Sequence, residues 1–435
     1  MTSLAAGAQS GSRGLGLAPS RATLSNGVTV IAKEARTIPA VTINLAMRVG
    51  SMYDPPDAPG TVHLLSRVID RGTATRSAAD IAEDLDGRGI TLTIAVARHV
   101  LSLVCTCLAE DFESVLDLLG DVVMSPSFPE PELATRKAEI TTAIRQDEDN
   151  PAVRAVESLM ALLYPNGHPY GRPQKGTIEV VEGLTRERLV RLHGDRFAPS
   201  ELSAVIVGDV PGRRATEAAA KVFERWQIRR APPVKVPRAT PAEARQRLVV
   251  PMMNKAQADV AYGFVTIPRA DPAYYAFWLM NNILGQYSMG GRLGHSIREQ
   301  QGMAYYVFSS LEASMVEGPL VVRAGISPEN VDRAVSSIDE EIERLARDGV
   351  TPKELKDSQQ YLVGSMPRAL ETNAGIAVFL QTAELFGLGL DYDIRLPELL
   401  QAVTPADVND AARRVLHPER ATLVISGPYE EPKTA

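Results

Sequence analysis

The sequence predicts an α+β protein made by tandem duplication: two homologous α/β-roll domains, each an antiparallel sheet with helices packed on one side. Three observations support this. First, LTRERLVRLHGDRFAPSELSAVIVGDV, from Leu184, lies over VTPADVNDAARRVLHPERATLVISGPY, from Val403, at a constant offset of 219 residues. Thr185 then meets Thr404, Pro199 meets Pro418, Val205-Ile206 meets Val424-Ile425, and Gly208 meets Gly427. Second, PEPELATRKAEI near Glu132 echoes TPKELKDSQQYL near Glu354 at an offset of 222. Two matches at nearly one spacing indicate a repeated unit of slightly over 200 residues. Third, strands and helices are segregated within each half, with no Gly-rich phosphate loop, which separates the chain from a Rossmann sheet.

The elements follow in order. Residues 1–20 are expected to form a flexible N-terminal tail. The N-terminus through Arg21 is rich in small residues, with Arg13 and Arg21 as its charges and no acid before Glu34. That is compatible with an organellar transit sequence but lacks the apolar core of a secretory signal. LSNG before VTVIAKEA predicts a hairpin whose turn is Asn26-Gly27. AVTINLAMRVG alternates as a second strand, helical patterns cover 61–70 and 78–86, and ITLTIAVA and VLSLVCTCL read as strands. EDFESVLDLLGDVVMS sets Phe112, Val115, Leu118 and Leu119 at helical spacing, with acids in the first turn. The domains are placed at 21–227 and 248–432, joined by the Pro-rich, charge-alternating linker 228–247.

Composition excludes several functions. The 435 residues carry a formal net charge of −7 without a basic stripe, which argues against nucleic acid as a partner. No segment reaches 18 consecutive apolar residues, so no membrane span is expected and a cytoplasmic location is the default. The two cysteines, Cys105 and Cys107, would share one face of a strand, too close in sequence for a comfortable bridge. A reducing compartment fits.

The stretch GTVHLLSRVIDRGT, residues 60–73, is framed like a metal-binding helix. An H-x-x-E-H helix works because positions i and i+4 share one face, so two imidazoles can hold zinc beside a general-base Glu. Here His63 holds the first position, Ser66 the base position and Arg67 the second His position. Serine is a poor proton acceptor near neutral pH, and a cationic guanidinium repels zinc. On residue chemistry this helix is not a zinc site. A second stretch, IREQQGMAYYV, predicts a short helix stopped near Gly302 and followed by a strand. Arg298 falls in the last turn and Tyr305 at the strand entrance, and both side chains carry donors suited to a carbonyl gaining negative charge. His168 and Gly171 are read as loop-shaping residues. The acidic run Asp147, Glu148, Asp149 is read as a solvated helix end that could bias a chamber toward basic peptides.

Taken in order, LSNGVTVI, RVGSMYDPPDAPG, SPSFPEPEL, IRQDEDNPAVRA, YPNGHPYGRPQKGT and IREQQGMAYYVFSS resemble the insulinase/pitrilysin family of inverted-motif zinc peptidases. The resemblance runs from Leu24 to Gly427 and is strongest to subunits akin to mitochondrial processing peptidase. It implies a third zinc ligand, a Glu, at the position held here by Ala143. Ser66, Arg67 and Ala143 therefore replace three of the four key groups, leaving His63. Glu139, one helical turn before Ala143, could face the same way as a repositioned ligand, with a solvated helix face as the plainer reading, and it is the obvious candidate to pair with Arg67. The resemblance further implies that Arg298 and Tyr305 contact substrate opposite the zinc. The expected function is a zinc-lacking, non-catalytic subunit of a heterodimeric zinc metallopeptidase. It would close a chamber and orient peptide substrate, while a homologous partner with intact H-x-x-E-H holds the zinc. No metal or cofactor is expected in this chain. The alternative is a peptide-binding or scaffold protein without a hydrolytic partner.

Overall fold

The computed structural model describes residues 16–227, 231–232, 234–286 and 291–431. The first half opens with β1 (Ser20–Thr23), β2 (Thr29–Glu34) and β3 (Ala40–Met47), then α1 (Thr61–Val68) and α2 (Ala78–Asp86). β4 (Thr93–Val96) and β5 (Leu101–Leu108) precede α3 (Phe112–Met124), α4 (Glu130–Glu148) and α5 (Pro151–Leu163). α6 (Ile178–Gly183), α7 (Arg186–Arg196), β6 (Leu202–Gly208) and α8 (Gly212–Phe223) complete it. The second half begins with β7 (Gln246–Pro251), β8 (Ala258–Val265) and α9 (Tyr274–Asn281), then β9 (Ala304–Leu311) and β10 (Pro319–Ile326). It ends with α10 (Val331–Asp348), α11 (Pro352–Ala369), α12 (Asn373–Leu385), α13 (Tyr392–Gln401), α14 (Pro405–Val415) and β11 (Thr422–Gly427).

The strands form two sheets, β1-β2-β6-β3-β5-β4 and β7-β11-β8-β10-β9. Each is antiparallel except at one place: β2 runs parallel to β6, and β7 runs parallel to β11. The repeat read from the sequence is visible here. Thr185 and Thr404 stand at the N-termini of α7 and α14, Pro199 and Pro418 open matching 3₁₀ turns, and β6 and β11 end at Gly208 and Gly427. Both glycines have positive φ, 147° and 135°. A Cβ on Gly208 would lie 2.1 Å from the Ala40 carbonyl oxygen and one on Gly427 2.6 Å from Ala258 Cα, so each marks a close backbone approach.

One face of each sheet packs on helices of its own half. The other face is covered by a helix from the opposite half. α5 lies on β8 and β11, with Leu159, Met160 and Leu163 against Ala261, Val265 and Val424. α12 lies on β3 and β6, with Ile376, Ala377 and Leu380 against Ile31, Val205 and Val207. α5 and α12 begin 222 residues apart, the spacing of the second echo, so the exchange is part of the duplicated design. It explains the burial of the central strands. All eight residues of β8 are buried, and in β3 all but Ala40, whereas β5, near an edge, alternates buried residues with half-exposed or exposed ones. Cys105 and Cys107 share the buried face of β5 as free thiols, pushed up to about 12 and about 11 chiefly by burial.

Three expectations need adjustment. The tail does not reach residue 20, because Leu17 donates its N–H to Asp393 at 2.6 Å and Ser20 opens β1; residues 1–15 lie outside the described residues. β7 starts at Gln246, two residues inside the span given to the linker, because Gln246 already pairs with Thr422 in the parallel ladder. Finally, where the sequence predicts helices on one side of each sheet, helices cover both faces, the second face by a helix from the other half.

Candidate functional site

α1 is held at its N-terminus by an unusual cap. Gly60, at φ 90°, precedes the helix, and its N–H and that of Val62 donate to the Asp54 carboxylate, both at 2.7 Å. Asp54 thus satisfies two of the orphan donors at a helix start. Burial opposes the charge, pushing this carboxyl up to about 7 despite those two hydrogen bonds. The loop before Thr177 closes over the same turn. A Cβ on Gly176 would sit 2.3 Å from the Pro59 carbonyl oxygen, and one on Gly60 2.5 Å from that of Lys175. Glycine at both positions allows Lys175 to arrive beside α1.

Around this helix lies a cleft of about 700 Å³, walled by α1, β4, the end of α4, one side of α5 and the 170–175 loop. His63, Ser66 and Arg67 face it. The Ser66 hydroxyl donates to the His63 carbonyl at 2.7 Å, a local helix bond that ties its proton to the backbone. Arg67 Nη2 lies 3.6 Å from Glu139 Oε2. Arg136 Nη1 holds the same carboxylate more closely, at 2.6 and 2.7 Å, so Glu139 answers two guanidinium groups. Ala143, one turn further along α4, offers no donor atom. The His63 imidazole is pushed down to about 4, first by burial and then by the charges of Lys175 and Arg67. It is therefore neutral near pH 7 and stands among cations.

This donor set does not fit zinc. One imidazole remains, its helix neighbours are a hydroxyl engaged with the backbone and a guanidinium, and the third-ligand position is a methyl group. Among the described residues no three His, Cys, Asp or Glu side chains converge as a metal-binding group.

Arg298 and Tyr305 occupy the places read from the sequence. Arg298 lies in the last turn of a π-helical segment, Gly294–Gln300, and Gly302 at φ 63° reverses the chain into β9. Both side chains are exposed, Tyr305 by 81%, and neither has a hydrogen-bond or ion-pair partner among the described residues. They are not part of the cleft beside α1, whose lining comes entirely from the first half.

His168 is a structural residue. Its Nε2–H donates to the Pro237 carbonyl at 3.0 Å and its Nδ1 accepts from the Tyr170 N–H at 3.1 Å, fixing one tautomer. The acidic run is a solvated helix end, as the sequence predicts, with Glu148 and Asp149 exposed where α4 stops, while the charge that Asp147 brings to the cleft is met by a cation. Asp147 pairs with Lys175, and Asp149 with Lys255 of the second half at 2.7 Å. Sequence reasoning missed Arg98, Arg154 and Lys175 as cleft residues. YGRPQKGT was visible as a motif, but its destination depends on the Gly60–Gly176 contact, a long-range fact.

Comparison with known proteins agrees with this anatomy. Residues 29–176 match the family model described as insulinase (peptidase family M16), and residues 183–362 match that of the peptidase M16 inactive domain. The chain belongs to this peptidase family. It is 27% identical over 407 residues to the uncharacterized zinc protease YmxG of Bacillus subtilis, covering 93% of this chain and 98% of that one. It is also 27% identical over 416 residues to the uncharacterized zinc protease SCO5738 of Streptomyces coelicolor, with 94% and 90% covered. Among solved structures, a peptidase M16 inactive domain from Pseudomonas fluorescens superposes with a TM-score of 0.89 at 25% identity, covering 96% of this chain and all of that one. A protease from Helicobacter pylori superposes at 0.86 with 17% identity over 94% of this chain and 99% of that one, a likeness of fold. No helix among the described residues is long and apolar enough to cross a membrane.

Proposed function

We propose that this chain is the zinc-lacking subunit of a two-chain zinc metallopeptidase, in which a homologous partner carries the intact H-x-x-E-H helix and performs hydrolysis. The observation that carries the reading is α1 itself. Its frame is complete, from the Asp54 cap to the Lys175 loop, while Ser66 and Arg67 on this helix and Ala143 on α4 hold three of the four positions that would carry the chemistry. A chain that keeps the family's architecture without a fit for its metal needs its chemistry from elsewhere.

Arg298 and Tyr305 are this chain's contribution to the partner's site. Both side chains are exposed and their donors have no partner among the described residues, which leaves them available to a ligand across an interface. Directed at a scissile carbonyl, a guanidinium and a phenol stabilise the oxygen as it gains charge, and the gain is larger where water is excluded. The test is turnover by the assembled pair carrying Arg298→Ala or Tyr305→Phe. Removing one such donor from a partner's site should lower kcat by roughly 10²–10³-fold with subunit pairing retained. Unchanged turnover with both substitutions, pairing intact, removes the proposed role. Peptide binding without any hydrolytic partner is the second reading, favoured by the cleft beside α1, which persists where the residues no longer fit zinc.

A further inference from the structure

The cleft beside α1 differs in charge from the rest of the molecule. The chain as a whole carries −7, yet five cationic side chains line this cleft against two carboxylates, Asp147 and Glu157. Their engagements differ. Lys175 is paired with Asp147, and Arg98 reaches Glu312 at 3.5 Å while stacking over the Tyr170 ring. Arg67 shares Glu139 with Arg136. Arg172 spends its donors on the Gly167 and Asp54 carbonyl oxygens, which satisfies hydrogen bonds without neutralising charge. Arg154, half-buried on α5, has no hydrogen-bond or ion-pair partner for its guanidinium among the described residues.

We infer that the position from which the family's metal chemistry has been lost is now a carboxylate-binding cleft that takes an acidic peptide segment, with Arg154 as its anchor and Arg172 and Lys175 beside it. A half-buried guanidinium whose donors are unmet is an unfinished interaction, and a carboxylate completes it with two parallel N–H···O bonds. The aliphatic wall made by Ile94, Val96, Val153 and Val156 gives the peptide's other side chains apolar surface, and about 700 Å³ accommodates a few residues. The local field agrees: Lys175 and Arg67 both oppose a proton on His63. Glu157, the remaining acid of the wall, is raised by burial first and then by Asp147 and Glu148, while Arg154 and Lys175 draw it back down; it lies one turn along α5 from Arg154 without forming an ion pair with it.

The inference rests on the proposed function only in taking the ligand to be a peptide, and its test needs no partner. The isolated full chain is titrated into fluorescein-labelled extended peptides of equal length, one rich in glutamate and one rich in lysine, and anisotropy is followed at rising NaCl. The glutamate peptide is expected to bind, to weaken with salt, and to lose about tenfold or more in affinity in Arg154→Glu, with Arg154→Lys in between. Circular dichroism of both variants establishes that the fold is retained. Tighter binding of the lysine peptide, or an affinity for the glutamate peptide indifferent to Arg154→Glu, overturns the inference while leaving the subunit role open. A glutamate peptide that binds normally when Arg298 and Tyr305 prove dispensable in the pair would instead separate the cleft from that role.

Discussion

Exchange of α5 and α12 between the halves makes a prediction that one substitution can check. Leu159 is fully buried on α5, and β8 has Gly263 beneath it: a Cβ there would lie 2.9 Å from Leu159 Cδ2 and 3.1 Å from Leu163 Cδ1. Leu159→Ala removes buried methyl groups at a place where the partner strand cannot fill the gap. A buried Leu→Ala change costs about 2–5 kcal/mol, and a tightly apposed helix and sheet favour the middle of that range, about 3 kcal/mol. With a urea slope of about 3 kcal/mol per M, the midpoint should fall by about 1 M. The two tryptophans report separately, Trp226 after α8 in the first half and Trp278 in α9 of the second. Single-tryptophan variants carrying Leu159→Ala should show both transitions falling together, although the lesion lies on the second sheet. The reciprocal change, Leu380→Ala under the first sheet, should behave alike. A Trp278 transition that falls while that of Trp226 stays in place would refute the idea of one cooperative unit.

Two further predictions concern α1. His63 and His99 are each pushed down to about 4, mainly by burial, so each favours the fold above the ordinary histidine range and ceases to do so as pH falls toward 4. At pH 5 the loss is about 2 kcal/mol per histidine. Urea titrations at pH 7.5 and pH 5 should therefore show His63→Gln losing less stability on acidification than the wild type. An identical loss would contradict the burial argument. Asp54 titrates in the opposite sense, which is why the comparison is between variants. Second, restoring the missing groups with Ser66→Glu, Arg67→His and Ala143→Glu should give a chain that holds about one zinc, read by elemental analysis after dialysis, because the frame around α1 is intact. No zinc retention by a folded triple variant would show that the frame itself has moved.

Much of the fold was legible where local rules decide it. The Asn26-Gly27 hairpin, α3 with its apolar stripe, and the paired Thr, Pro and Gly landmarks of the repeat are set by turn chemistry and periodicity, and each appears where the sequence put it. The identity of the residues facing the degenerate site was legible for α1, because positions i and i+4 of one helix share a face. The contact of Arg67 with Glu139 could be suggested from helix spacing, but only the packing of α1 on α4 decides it. PAVRAVESLMALL reads as an amphipathic helix, yet nothing local says that its apolar side serves the opposite half's sheet. The same is true of Lys175 and Arg154, which reach one cleft from different elements through backbone contacts far apart in sequence. The Asp147–Asp149 run was legible as a helix end, but its counter-ions, Lys175 for Asp147 and Lys255 for Asp149, were not, because they are distant in the chain.

The most direct test is to purify the tagged full-length chain from its host and from a heterologous one, and to measure zinc content and peptide cleavage for each preparation. The account predicts that the chain made alone holds no tightly bound zinc and cleaves nothing. From its host it should bring down, in equal amount, a chain of similar size with an intact H-x-x-E-H helix, and the pair should cleave peptides in a chelator-sensitive way. One zinc per chain with cleavage by the isolated protein would contradict it, as would a host preparation that contains only an inactive single species.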